Sequence, residues 1–169
     1  NGALVWQQGY GYHDYTKTKS VASNTVYDLA SVTKIMATTT SIMKLVSQGK
    51  VDVDDPVSEY IPEFNTLEKQ EITIRHLLLH TSGLPAFRIY VDKLKSRDEI
   101  VEAVRNEPII NKPGKTYVYS DLGFILLAEI VHEVTGKHVD EFSADEVFSK
   151  LDMYDTLYNP YKTGSRFNG

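Results

Sequence analysis

Cysteine is absent from this 169-residue chain. That excludes a disulfide framework, a thiolate nucleophile and cysteine metal sites. Long apolar runs are absent as well: no stretch approaches the ~18 residues that a membrane helix needs. Blocks of like charge are missing. The chain sets 18 basic against 23 acidic side chains, a net charge of −5 without clustering, so no nucleic-acid surface is implied. A leader pattern is lacking too. However, the chain opens on Asn1 and a strand pattern starts almost at once, so trimmed ends are expected and the missing leader says little about location. What is present, 41% hydrophobic and 24% charged residues, fits one globular domain over residues 1–169 with a real core.

One stretch organises the rest: Tyr27-Asp28-Leu29-Ala30-Ser31-Val32-Thr33-Lys34-Ile35-Met36-Ala37-Thr38. Asp28 is placed to cap a helix over about residues 29–48, with Ile35, Met36, Ile42, Met43, Leu45 and Val46 as its apolar positions and Gly49 as its stop. Ser31 and Lys34 then share one face near the helix start. A serine hydroxyl becomes a useful nucleophile only when a base takes its proton. Lysine serves if burial or the positive end of the helix dipole lowers its pKa. Free N–H groups at the same helix start can stabilise an oxyanion. Taken alone, S-x-x-K is short and common, and a helix-start serine beside a solvated lysine is its usual meaning.

Around this stretch, residues 3–12 read as a strand rich in aromatic and branched side chains, with Gly9 and Gly11 marking a bulge or close approach. Residues 13–24 are polar and turn-like. The Asp52, Asp54 and Asp55 run lacks the glycine and terminal glutamate of a calcium loop, so these are solvated turn carboxylates. A short helix spans Thr73 to His80. His76 and His80 lie one turn apart, but no third ligand accompanies them, and His80 suits hydrogen bonding to the last helical carbonyls. A helix over 97–106 follows. Another runs from Ser120 or Asp121 to Thr135; it is apolar nearly all round and therefore central. A last helix covers about 138–150. Tyr119 sits just before the central helix, where a phenol facing a lysine could titrate below its usual value of about 10. As one of 11 tyrosines, it is on its own better read as a packing residue with a hydrogen-bonded hydroxyl.

In order, Ser31-Val32-Thr33-Lys34, Gly49-Lys50-Val51-Asp52, His76-Leu77-Leu78-Leu79-His80-Thr81-Ser82-Gly83-Leu84, Pro113-Gly114 and Tyr119-Ser120-Asp121 resemble the serine β-lactamase and penicillin-binding-protein-like superfamily. Class C β-lactamases, D-alanyl-D-alanine carboxypeptidases and related esterases are the similar branches. The resemblance implies an α+β fold: the helical region of a β-lactamase/transpeptidase-like domain with a small, incomplete antiparallel sheet. It implies acylation of Ser31, with Lys34 as base and Tyr119 as proton shuttle, and substrate facing Ser120 and Asp121. The substrate would be an ester, an amide, a β-lactam or a D-amino-acid peptide. No cofactor and no metal are implied, and the location would be periplasmic or extracytoplasmic. Asp121 stands where the family usually has asparagine; its charge should raise the Lys34 pKa and disfavour anionic substrates. Family members are about twice this length, so the chain reads as a portion of one, with an exposed edge that predicts self-association or pairing with another sheet-forming segment. Lys162-Thr163-Gly164 matches a family strand motif but has no strand pattern around it, so it reads as coincidence. The alternatives to an enzyme are a penicillin-binding-like sensor and an inactive structural fragment.

Overall fold

The computed structural model describes residues 2–90 and 93–160. Lys162-Thr163-Gly164 lies outside them. Two compact units are distinguished, Asn1–Ala30 with Asn159–Gly169, and Ser31–Tyr158.

The larger unit is built round α4 (Asp121–Thr135). Ser120 caps it, its Oγ accepting from the Gly123 N–H at 3.2 Å. Gly136 ends it with a left-handed φ of 72°. Leu122, Leu126, Leu127, Ile130 and Val131 are fully or almost fully buried. Each such side chain contributes roughly 1.5–3 kcal/mol relative to exposure. The expectation of a central helix holds. Against it pack α1 (Thr40–Ser47), α2 (Ile74–Leu78), α3 (Arg97–Asn106) and α5 (Val139–Ser143).

Local chemistry explains these starts and stops. Thr73 and His76 form a reciprocal capping box at α2, as Ser96 and Glu99 do at α3. Between α1 and α2, 3-10 turns at Val57–Glu59 and Pro62–Phe64 press Val57, Ile61 and Phe64 into the core. The aspartates behave as turn carboxylates. Asp55 accepts from the Tyr60 hydroxyl at 2.5 Å and from the Asp52 N–H at 2.9 Å, while Asp54 pairs with Arg75 at 2.6 Å.

Two expectations change. The helix after Ser31 does not wind regularly: Lys34–Thr39 is π-helical before α1 begins. Threonine hydroxyls take up the loosened carbonyls, with Thr39 donating to Lys34 O at 2.9 Å and Thr40 to Met36 O at 2.5 Å. The extra residue in the widened turns shifts the register. Ala37, Thr38, Ser41, Ile42 and Leu45 face inward, whereas Ile35, Met43 and Val46 are exposed. Asp28 does not cap this helix either: its Oδ1 accepts from Ala30 N–H, two residues on, in a tight local turn.

The second change concerns the sheet. Among the described residues no strand forms, and pairing is limited to the isolated bridges Tyr12↔Ser20 and Pro56↔Thr73. Within the smaller unit, the backbone turns out of the extended region at Gly11, φ 77°, so the 3–12 run is broken. Gly9 does mark a close approach, because a Cβ there would meet Val21 O at 2.3 Å. A single extended segment has no ladder of its own to satisfy it.

Candidate active site

Ser31 stands immediately before the first helical turn, and its carbonyl accepts from the Lys34 N–H at 3.1 Å. Ala30, just upstream, has a positive φ of 44°. For a residue with a Cβ that conformation costs about 1–2 kcal/mol, and it turns the chain sharply into the helix.

Lys34 reaches back along this face. Its Nζ donates to Ser31 Oγ at 3.2 Å and pairs with Asp121 Oδ1 at 2.7 Å. It also lies 5.0 Å from the Tyr119 ring centroid and 6.0 Å from that of Phe124. The lysine side chain is 16% exposed and the aspartate 52%. Thus Ser31, Lys34, Tyr119 and Asp121, singled out from distant parts of the sequence, converge. Ser120 does not join them: its buried Oγ donates to Pro85 O at 2.6 Å and caps α4, so it is structural rather than open to a ligand.

The electrostatics follow from this packing. Burial by itself would pull the Lys34 ammonium down, but hydrogen bonds to Asp121 and Tyr119 and the Asp121 charge outweigh it, and the pKa is raised. That is the effect expected of Asp121, and the reverse of what a lysine base needs. Hydrogen bonding from Ser31, then from Lys34, lowers the Tyr119 phenol below its ordinary value. The phenol rather than the amine is the group shifted toward its deprotonated form.

Sequence reasoning misassigned His80. Its ring does not serve the α2 carbonyls. Nδ1 accepts from the Ser120 N–H at 3.0 Å, and the His80 carbonyl accepts from Val118 N–H at 2.8 Å. The ring packs on Tyr119 at 4.4 Å and on Phe124 at 5.0 Å between centroids. Its left-handed φ of 57° lifts it out of the helix and toward this loop. The available signal was the Thr81-Ser82-Gly83-Leu84-Pro85 turn directly after it. Gly83 is required there: its φ is 83° and an added Cβ would meet Asn111 O at 2.0 Å.

Comparison with known proteins bears on what such a cluster belongs to. The Beta-lactamase family model matches residues 1–166. The chain is a member of the β-lactamase family. An N-acetylmuramyl-L-alanine amidase from Bacillus subtilis is 34% identical over 97% of this chain and 42% of its own length. FmtA from Staphylococcus aureus superposes with a TM-score of 0.76 at 31% identity, over 88% of this chain and 41% of that one. D-amino acid amidase from Ochrobactrum anthropi, solved with L-phenylalanine amide, gives 0.71 at 29% identity, over 85% and 40%. This β-lactamase-family chain therefore spans about two fifths of the relatives it matches.

Proposed function

We propose that this chain carries the acyl-transfer centre of a serine hydrolase, within a single β-lactamase-related domain. The observation that carries the reading is that one ammonium, Lys34 Nζ, holds the Ser31 hydroxyl and the Asp121 carboxylate at once beneath the Tyr119 ring. Ser31 is the nucleophile. Its proton passes to the Tyr119 phenolate as Oγ bonds to the substrate carbonyl carbon, and the carbonyl electron pair moves onto oxygen. The Ser31 N–H at the helix start donates to that oxyanion. Collapse expels the leaving group, which takes the proton back from Tyr119. Water, deprotonated by the same phenolate, then hydrolyses the acyl-serine. Lys34 remains a cation throughout; it orients Ser31 and stabilises the phenolate.

The substrate is an ester or amide, a class that includes D-amino-acid peptides and β-lactams. The D-amino acid amidase and N-acetylmuramyl-L-alanine amidase relatives support amide bonds. Asp121, half exposed beside the nucleophile, favours neutral or cationic substrates over anionic ones.

Intact mass after incubation with a fluorophosphonate or a penicillin tests the reading. A mass gain lost in Ser31→Ala, with p-nitrophenyl acetate turnover lost alongside it, is the expected result. An adduct without turnover would replace the hydrolase with a sensor. An adduct retained in Ser31→Ala, or none under any condition, overturns the proposal.

A further inference from the structure

His80 makes none of the hydrogen bonds to Ser31 or Lys34, yet it is bonded on both sides of Tyr119. Its carbonyl holds the Val118 N–H and its Nδ1 holds the Ser120 N–H. Between these two anchors the Tyr119 ring stacks on the imidazole at 4.4 Å with the planes 37° apart. Phe124, on α4, lies 5.0 Å from the imidazole between centroids, and Tyr117 meets the ring edge-on at 5.9 Å.

We propose that His80 is the positioning residue of this site: as a neutral imidazole with Nδ1 unprotonated, it clamps residues 118–120 and fixes where the Tyr119 phenol stands against Ser31 and Lys34. The catalytic meaning of this clamp rests on the acyl-transfer reading above. Its structural content does not.

The tautomer is dictated by the bond. A backbone N–H can only donate, so Nδ1 must offer its lone pair and the ring proton sits on Nε2. Protonating the imidazole would set a second donor against the Ser120 N–H and break the clamp. The charged groups facing the ring are Lys34 from the π-helical segment and Asp121 from α4, with the Tyr117 and Tyr119 phenols from the loop. Burial, and then the Lys34 ammonium, favour the neutral imidazole; Asp121 opposes them and is outweighed. The clamp is therefore closed at neutral pH and opens on acidification below the ordinary histidine value of about 6.5.

Two variants separate its parts. His80→Asn keeps an acceptor near the Nδ1 position, tolerates the left-handed backbone and cannot titrate. His80→Phe keeps a ring for stacking but leaves the Ser120 N–H without its acceptor. In the wild-type chain, NMR should show the Ser120 amide resonance moving with the His80 ring titration, with Nε2 carrying the proton above it. The Tyr119 ionisation, isolated as the tyrosinate absorbance of wild type minus Tyr119→Phe, should move in His80→Phe and stay in place in His80→Asn. For acylation, His80→Phe should lose about 10²-fold in kcat with KM unchanged, the scale of a misplaced catalytic group. His80→Asn should recover most of that loss and remove the further rate drop below about pH 6.5, leaving the Tyr119 limb in place.

A Ser120 amide indifferent to His80 protonation overturns the proposal, as does a Tyr119 titration unchanged in His80→Phe. These two readouts need no turnover, so they stand even if Ser31 never acylates. If Ser31 does acylate and His80→Phe acylates equally fast, the clamp fails and the hydrolase reading survives. Should His80→Phe not fold, a rate step below about pH 6.5 that persists in His80→Asn, apart from the Tyr119 ionisation, overturns it.

Discussion

Tyr119 and Asp121 decide the chemistry at the scale of single residues, and they pull in different directions. Hydrogen bonding from Ser31 is the largest cause of the lowered Tyr119 pKa. Ser31→Ala should therefore raise that pKa, which the tyrosinate difference spectrum against Tyr119→Phe measures directly. Between the lowered value and about 10, the folded chain binds fewer protons at this site than the unfolded chain. This group's contribution to stability is thus present above the unfolded value and is lost as pH falls through the folded one. Acylation should climb as pH rises through the lowered value, where the phenol ionises, and level off above it. Asp121 sets the other limit. In Asp121→Asn, Lys34 loses the ion pair that holds it up and burial is left to act, so its pKa should fall on titration of the lysine side-chain resonance. Anionic penicillins should then acylate about tenfold faster, the effect of removing about 1.4 kcal/mol of repulsion. The Ser31, Lys34 and Tyr119 cluster was legible only through the order of several motifs taken together, since S-x-x-K and a single tyrosine each have a commoner structural meaning. The direction of the Lys34 shift was legible only through Asp121. His80 was not legible, because a histidine at a helix end has an ordinary role there, and its Ser120 partner is 40 residues away.

At the scale of elements, sequence and structure agree wherever a local device sets a boundary. Thr73, Ser120, Gly49 and Gly136 act through their own or adjacent backbone, so their meaning is readable from a few residues. The π-helical turns at Lys34–Thr39 were not readable, because threonine hydroxyls and core packing jointly stabilise them. The strand expected at 3–12 depended on a partner that no local pattern supplies. Glu129 is the other surprise: a 4% exposed carboxylate in an apolar helix. Arg97 and Arg105 both donate to it, Arg105 at 2.6 Å, and Arg105 also reaches Glu63 at 2.9 Å and Glu133 at 3.1 Å. This network fastens α3 to α4. Glu129→Ala would leave Arg97 and Arg105 with only their more exposed partners Asp98, Glu63 and Glu133, at a cost of about 1–3 kcal/mol. Urea unfolding should show that loss, and Glu129→Gln should show a smaller one.

For the molecule as a whole, the order of five short motifs carried the family resemblance, since no single motif is specific. Leu4, Val5 and Trp6 are 76%, 93% and 63% exposed, an apolar run of the kind that recruits a partner surface. Sedimentation should show concentration-dependent association, and Leu4→Lys with Trp6→Lys should weaken it. A different consequence follows from the winding after Ser31. The widened turns at Lys34–Thr39 hold one residue more than a regular helix would. Rewinding the same residues as a regular helix would turn Ser31 and Lys34 by about 100° relative to Ile42 and Leu45. The heading of the nucleophile is thus stored in the winding of this short segment, which the Thr39 and Thr40 hydroxyls help to hold. Without those hydroxyls the turns could tighten, and Ser31 and Lys34 would swing together away from the phenol.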